Sequence, residues 1–117
     1  MREIKFRAFT AEGVMMEVGD LTMFSDGTYC VNEEIPIINA KLMQYTGLKT
    51  NGQEIYEGDI IENDSEWWEV VFDEGKFQCN PIRGGNVYID LSELAGGDTW
   101  VQGNIYENPE LLTPHGE

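Results

Sequence analysis

Hydrophobic and polar residues alternate along this chain in short runs with a period of two. Ile4, Phe6 and Ala8 alternate with Lys5, Arg7 and Phe9, which predicts a half-buried first strand. Between such runs, turn signals recur about 10 to 25 residues apart: Glu12-Gly13, Asp26-Gly27, Asn51-Gly52, Glu74-Gly75, Gly84-Gly85-Asn86 and Gly96-Gly97-Asp98. Short runs at this spacing predict an all-β sandwich or small barrel. Asp26-Gly27 suits a tight hairpin joining Leu21–Phe24 to Tyr29–Val31, because both central residues of a type I′ turn need positive φ. Asn51-Gly52 repeats that signal between Met43–Leu48 and Gln53–Tyr56. Gly58 re-aims the chain into a strand at Asp59–Glu62. The run WWEVVF (67–72), the turn DEGK (73–76) and FQC (77–79) read as a further hairpin. There Gly75 takes the left-handed position of a longer loop. Strands follow at Asn86–Asp90 and Thr99–Gly103.

Helix is scarce. Asp90 with Glu93 caps a single turn through Leu94, which Gly96 ends. Asn108-Pro109 starts another short turn at 109–112. The tail TPHGE is expected to fray.

The run WWEVVF carries an apolar surplus. Trp68, Val70 and Phe72 share one strand face, while Trp67, Glu69 and Val71 share the other. One face suffices for a core. The second still offers a tryptophan and a valine, so it calls for a cover. That cover is either a second subunit or the N-terminal half of the same chain, and strand geometry alone does not separate them. Ile35–Ile38 and Met15-Met16 add to the surplus.

Composition sets the remaining bounds. With 117 residues, 41% hydrophobic and 25% charged, the chain reads as one globular domain spanning 1–117. Its net charge is −15, from 22 acids against 7 bases. Such a field repels phosphate backbones and anionic lipid, so neither nucleic acid nor membrane is an expected direct partner. No 18-residue apolar run is present, and the start MREIKFRAF lacks the apolar region of a signal peptide. A cytoplasmic protein is expected. Cys30 and Cys79 form no CxxC, and they read as small core residues.

The chemistry-bearing patterns are few. His115 is the only histidine and sits near the C-terminus, a poor place for a triad. Neither GxxxxGK[ST], GxGxxG, GxSxG nor HExxH occurs. Glu54, Glu57, Asp59, Glu62, Asp64, Glu66 and Glu69 form an acidic stretch. Clustered carboxylates can do acid–base work when one is desolvated, or bind a hard cation. No EF-hand pattern accompanies them, and a solvated face is the simpler reading. No catalytic, metal or cofactor site is therefore assigned.

Four blocks, MREIKFRAF, MQYTGLKTNGQEIYEGDII (43–61), EVVFDEGKF (69–77) and VQGNIYENPELL (101–112), together resemble the YopX family of phages and bacterial prophages. The resemblance implies an all-β fold, a phage or prophage origin and self-association. It brings no established activity and no site residue. The expected architecture is a small SH3-like barrel over about 46–112, with an N-terminal β substructure over about 1–45. The expected function is a non-enzymatic, self-associating interaction protein, with a homo-oligomer contact through Trp67, Val71, Tyr45 and Tyr56. A host protein is a second expected kind of partner. The alternatives are an acidic, DNA-mimicking inhibitor of a host nucleic-acid enzyme, and a metal-binding or enzymatic protein using the clustered carboxylates.

Overall fold

The computed structural model describes residues 5–10, 13–19, 21–23, 29–31, 35–37, 41–82 and 88–112, with backbone alone for those between 21 and 37. The turns expected at Asp26-Gly27 and at 84–86, and the tail with His115, lie outside the described residues. The fold is all-β, as the alternation predicts. It divides into two compact units, Met1–Tyr45 and Thr46–Glu117, at the boundary expected between substructure and barrel.

In the first unit, β1 (Phe6–Phe9) is flanked by antiparallel neighbours on both sides. Phe6 faces Val18 and Phe9 faces Met15 of β2 (Met15–Val18), while Phe6 faces Gln44 and Phe9 faces Lys41 of β6 (Lys41–Thr50). Alternation puts Ala8 inward, fully buried, where Met16, Val18 and Leu42 pack against it. The strands β3 (Leu21–Met23), β4 (Tyr29–Val31) and β5 (Ile35–Ile37) form a separate antiparallel sheet, with Met23 opposite Tyr29 and Val31 opposite Ile35.

The strand β6 continues into the second unit, and its sequence shows how. Gly47 sits at φ +85°, a left-handed conformation inside a strand that glycine adopts without a Cβ penalty. Beside it, the Thr46 hydroxyl donates to the Ile55 carbonyl (2.8 Å) and accepts from the Leu48 amide (3.2 Å). Asn51 and Gly52, at φ +51° and +82°, then turn the chain into β7 (Gln53–Tyr56) as the sequence predicts.

The second unit holds a five-stranded antiparallel sheet in the order β11-β10-β9-β8-β12, curled into a half-barrel. Its strands are β8 (Asp59–Asn63), β9 (Glu66–Asp73), β10 (Lys76–Pro81), β11 (Ile89–Asp90) and β12 (Thr99–Asn104). Asp73 pairs with Lys76, so Glu74-Gly75 is a two-residue turn with both φ values positive, tighter than the longer loop expected. A third such turn, Asp64-Ser65, joins Asn63 to Glu66. It contains no glycine, so the sequence pattern gave no warning of it.

One helical turn, α1 (Leu91–Leu94), starts where Asp90 accepts the Ser92 amide, as expected; the chain leaves it at Ala95, one residue before Gly96. A 3-10 turn covers Pro109–Leu112. The core of this unit is Ile55, Ile61, Trp68, Val70, Phe77, Cys79 and Leu91, edged by Leu48, Ile89, Leu94, Ala95 and Val101. Burial pushes the Cys79 thiol up to about 12, with the Asp90 charge as a lesser cause, so it is an inert core group. The Trp68 indole Nε1 is buried with no acceptor among the described residues.

Two polar ties close the sheet. The buried Thr99 carbonyl accepts from the Thr50 hydroxyl (2.6 Å) and from Asn51 Nδ2 (2.7 Å). The Thr99 hydroxyl accepts from Asn63 Nδ2 and donates to the Leu94 carbonyl. The motif TNG thus anchors the start of β12 as well as turning a hairpin. At the other end, Asn104 Oδ1 accepts from the amides of Tyr106 (3.0 Å) and Glu107 (2.8 Å). Asn108 Oδ1 accepts the Asn104 amide at 3.2 Å. A Cβ on Gly103 would lie 2.5 Å from that oxygen, so QGNIYENP needs its glycine for close approach.

Candidate interaction face of the five-stranded sheet

Residues paired across neighbouring strands project from the same side of a sheet. The pairs Ile61–Trp68 and Val70–Cys79 define the core side. The other side is set by the pairs Trp100–Glu62 and Glu62–Trp67, so β12, β8 and β9 present an indole, a carboxylate and an indole in one row. The next row places Glu69 beside Ile60 and Asn80, and the one after places Val71 beside Gln78. Trp67, Glu69 and Val71 therefore share the second face, as their spacing predicts.

Burial is uneven across this face. Ile60 is fully buried and Gln78 nearly so. Trp67, Glu62, Glu69 and Val71 are half-buried. Trp100 is 53% exposed. The face is thus closed around Ile60 and open towards β12. Sequence reading did not single out Trp100, because it is the lone aromatic of its short strand, in DTWVQ. The signal that finds it is the register against Glu62. Tyr45 and Tyr56, also expected at a subunit contact, are both buried, at 4% and 5% exposure. Tyr45 lies under the Lys5 ammonium, 4.9 Å from its ring centroid.

The acidic stretch is not a uniformly solvated face. Asp59 is buried, and its Oδ2 accepts the Tyr56 amide at 2.8 Å, which pins the turn into β8. Gly58 supports the same corner, donating to the Val70 carbonyl and accepting from the Ile105 amide. Glu62 accepts from Gln102 Nε2 at 2.9 Å. Glu69 is held protonated to higher pH than usual by burial. The Tyr106 phenol is pushed up by its own burial and then by the charges of Glu57 and Glu69, which places those carboxylates near it. Asp64 and Glu66 face solvent.

Charge is concentrated here. Residues 46–117 hold fifteen acids against three bases, whereas residues 1–45 hold seven against four. The strands β8, β9 and β12 contain Asp59, Glu62, Glu66, Glu69 and Asp73 and no lysine or arginine. One ion pair lies nearby, Lys76 to Asp90 at 3.8 Å across β10 and β11, and it is exposed. The Asp90 carboxyl is held below its usual range chiefly by the Ser92 amide. Among the described residues, no group of three or more histidine, cysteine or acidic side chains could hold a metal ion. No described helix is long and apolar enough to cross a membrane.

Comparison with known proteins agrees with this architecture. None of the curated proteins matches the chain. Among solved structures, it is similar to protein EF1440 from Enterococcus faecalis, with 28% identity and a TM-score of 0.65, covering 97% of this chain and all of that one. It is also similar to protein yopX from Bacillus subtilis, with 25% identity and a TM-score of 0.64, covering 97% of this chain and 98% of that one. The YopX protein family matches residues 5–113, which takes in three of the four blocks that carried the resemblance and the latter part of the first, and the chain belongs to that family.

Proposed function

We propose that this protein is a non-enzymatic interaction protein of phage or prophage origin that self-associates through the second face of its five-stranded sheet. The observation that carries the reading is Trp100, more than half exposed in the same row as the half-buried Trp67. The second unit already has a complete apolar core, so these indoles are surplus to its folding. Burying one exposed tryptophan contributes about 2–3 kcal/mol at ~25 cal/mol per Å². Closed symmetry would repeat that gain at every contact. The reading sets the protein in the bacterial cytoplasm, in keeping with the free thiol of Cys79.

Sedimentation velocity tests it. The expected result is an oligomer that tightens as salt screens the acidic charge. Trp100→Glu should give a smaller species with an unchanged circular dichroism spectrum, and Trp67→Glu should do the same. A wild-type monomer at micromolar concentration, at both low and high salt, would refute the reading. So would a Trp100→Glu variant that is folded and the same size as the parent.

The charge distribution favours a second reading, an acidic inhibitor of a host nucleic-acid enzyme. Fifteen acids against three bases in residues 46–117 would suit a cationic cleft. A pull-down from host cells that recovers such an enzyme, with loss of its DNA binding on addition of this protein, would support it.

A further inference from the structure

We infer that the Trp100–Glu62–Trp67 row is a recognition site for arginine side chains of a basic, extended partner segment. The inference rests on this face being a docking surface, but not on self-association. Adjacent strands lie about 4.8 Å apart, so the backbones of Trp100 and Trp67 stand roughly 10 Å apart with that of Glu62 between them. A guanidinium is planar. It stacks on an indole face while its fork of N–H donors meets a carboxylate, and an ammonium does only part of this. Gln102 orients the acceptor by donating to Glu62. That bond leaves the second carboxylate oxygen for a ligand.

Charge complementarity selects the occupant. The three strands that build the row carry five acids and no base, so no cation within them competes for Glu62. A second copy meeting this face with its own can cover the indoles but brings no base from these strands to Glu62. An arginine-bearing segment offers an opposite charge and a stacking plane together. In an extended segment, alternate residues point the same way about 6.8 Å apart. A second arginine can then reach towards Glu69 while the first lies in the row.

Nuclear magnetic resonance of the full chain provides the test. The probe is an acetylated and amidated heptapeptide of alternating glycine and arginine, added at physiological salt. The indole Nε1–H signals of Trp100 and Trp67 should shift, while that of Trp68, on the core side, should not. Trp100→Ala, which leaves the charge intact, should weaken binding by about threefold to tenfold. Glu62→Gln should weaken it to a similar degree, whereas Glu110→Gln, which removes the same charge from the exposed 3-10 turn outside the row, should change it less than about twofold. If Glu110→Gln weakens binding as much as Glu62→Gln, or if Trp100→Ala changes nothing, net charge alone is responsible and the inference falls. The wild-type indole shifts decide the matter even where a variant fails to fold. Peptide binding to a monomeric protein leaves the inference standing and removes self-association. A stable oligomer with no indole shift does the reverse.

Discussion

Glu69 shows how strand alternation turns a surface residue into a titrating one. It shares a face with Trp67 and Val71, and it is half-buried beside the fully buried Ile60. That burial disfavours its charged form and raises its pKa from the ordinary 4.5. The folded protein therefore holds a proton that the unfolded chain has already released. Stability falls as pH rises from about 4.5 through the raised folded value, and the penalty is complete above it. Glu69→Gln removes the charge but keeps the shape. Its melting temperature should exceed that of the parent at pH 7, and the gain should shrink as pH falls towards 4. A gain independent of pH would mean that packing, not ionisation, is the cause. The alternation of WWEVVF was enough to place Glu69 with Trp67. Its desolvation was not legible, because that depends on which residues pack near the face.

At the scale of elements, the hairpins divide by turn chemistry. Asn51-Gly52 was readable because the pair meets the positive-φ demand of a two-residue turn. The turn between β8 and β9 meets the same demand with Asp64 and Ser65, at φ +52° and +69°. Ser65 carries a Cβ into a region that L residues avoid. Ser65→Gly should therefore raise stability by about 0.5–1 kcal/mol, with the unfolded-state freedom of glycine offsetting part of the relief. Urea denaturation measures this. A loss of stability would show that the serine side chain contributes more than the strain it brings. The same contrast explains what was read and what was missed. Dipeptides announce turns through the residue types that the backbone prefers, and a strained turn held by its flanking strands leaves no such mark. The role of Gly103 was hidden for a related reason. It depends on Asn108 coming within 2.5 Å of a would-be Cβ, a contact that forms only when the chain folds back.

At the scale of the whole molecule, the sequence carried the all-β class and the boundary near residue 45, because both follow from local periodicity and punctuation. The interaction face was half legible. Trp67 and Val71 came from alternation within one strand. Trp100 needed the pairing of β12 with β8, a relation between segments 38 residues apart in the chain. Acidic composition was plain from the start. Its concentration on strands without a single base became meaningful only with the sheet order.

The polar ties around Thr99 also imply an order of assembly. From β8 to β10 the chain folds as a meander through two-residue turns, so each contact closes a short loop. The last strand, β12, must instead return to β8 across the 36 residues that separate Asn63 from Thr99. Closing a loop of that length costs about 3 kcal/mol of chain entropy, and little is regained until the strand is seated. The hydrogen bonds of Thr99 with Thr50, Asn51 and Asn63 act as the latch that offsets this cost. The strand that joins last is then the one that leaves first in partial unfolding. Backbone amides of β12 should exchange with deuterium sooner than those of β9 and β10 under native conditions, and equal rates would show that the sheet opens only as a whole. Because Trp100 lies on that strand, a partner gripping it would hold the latch shut, and binding would slow the opening of the sheet.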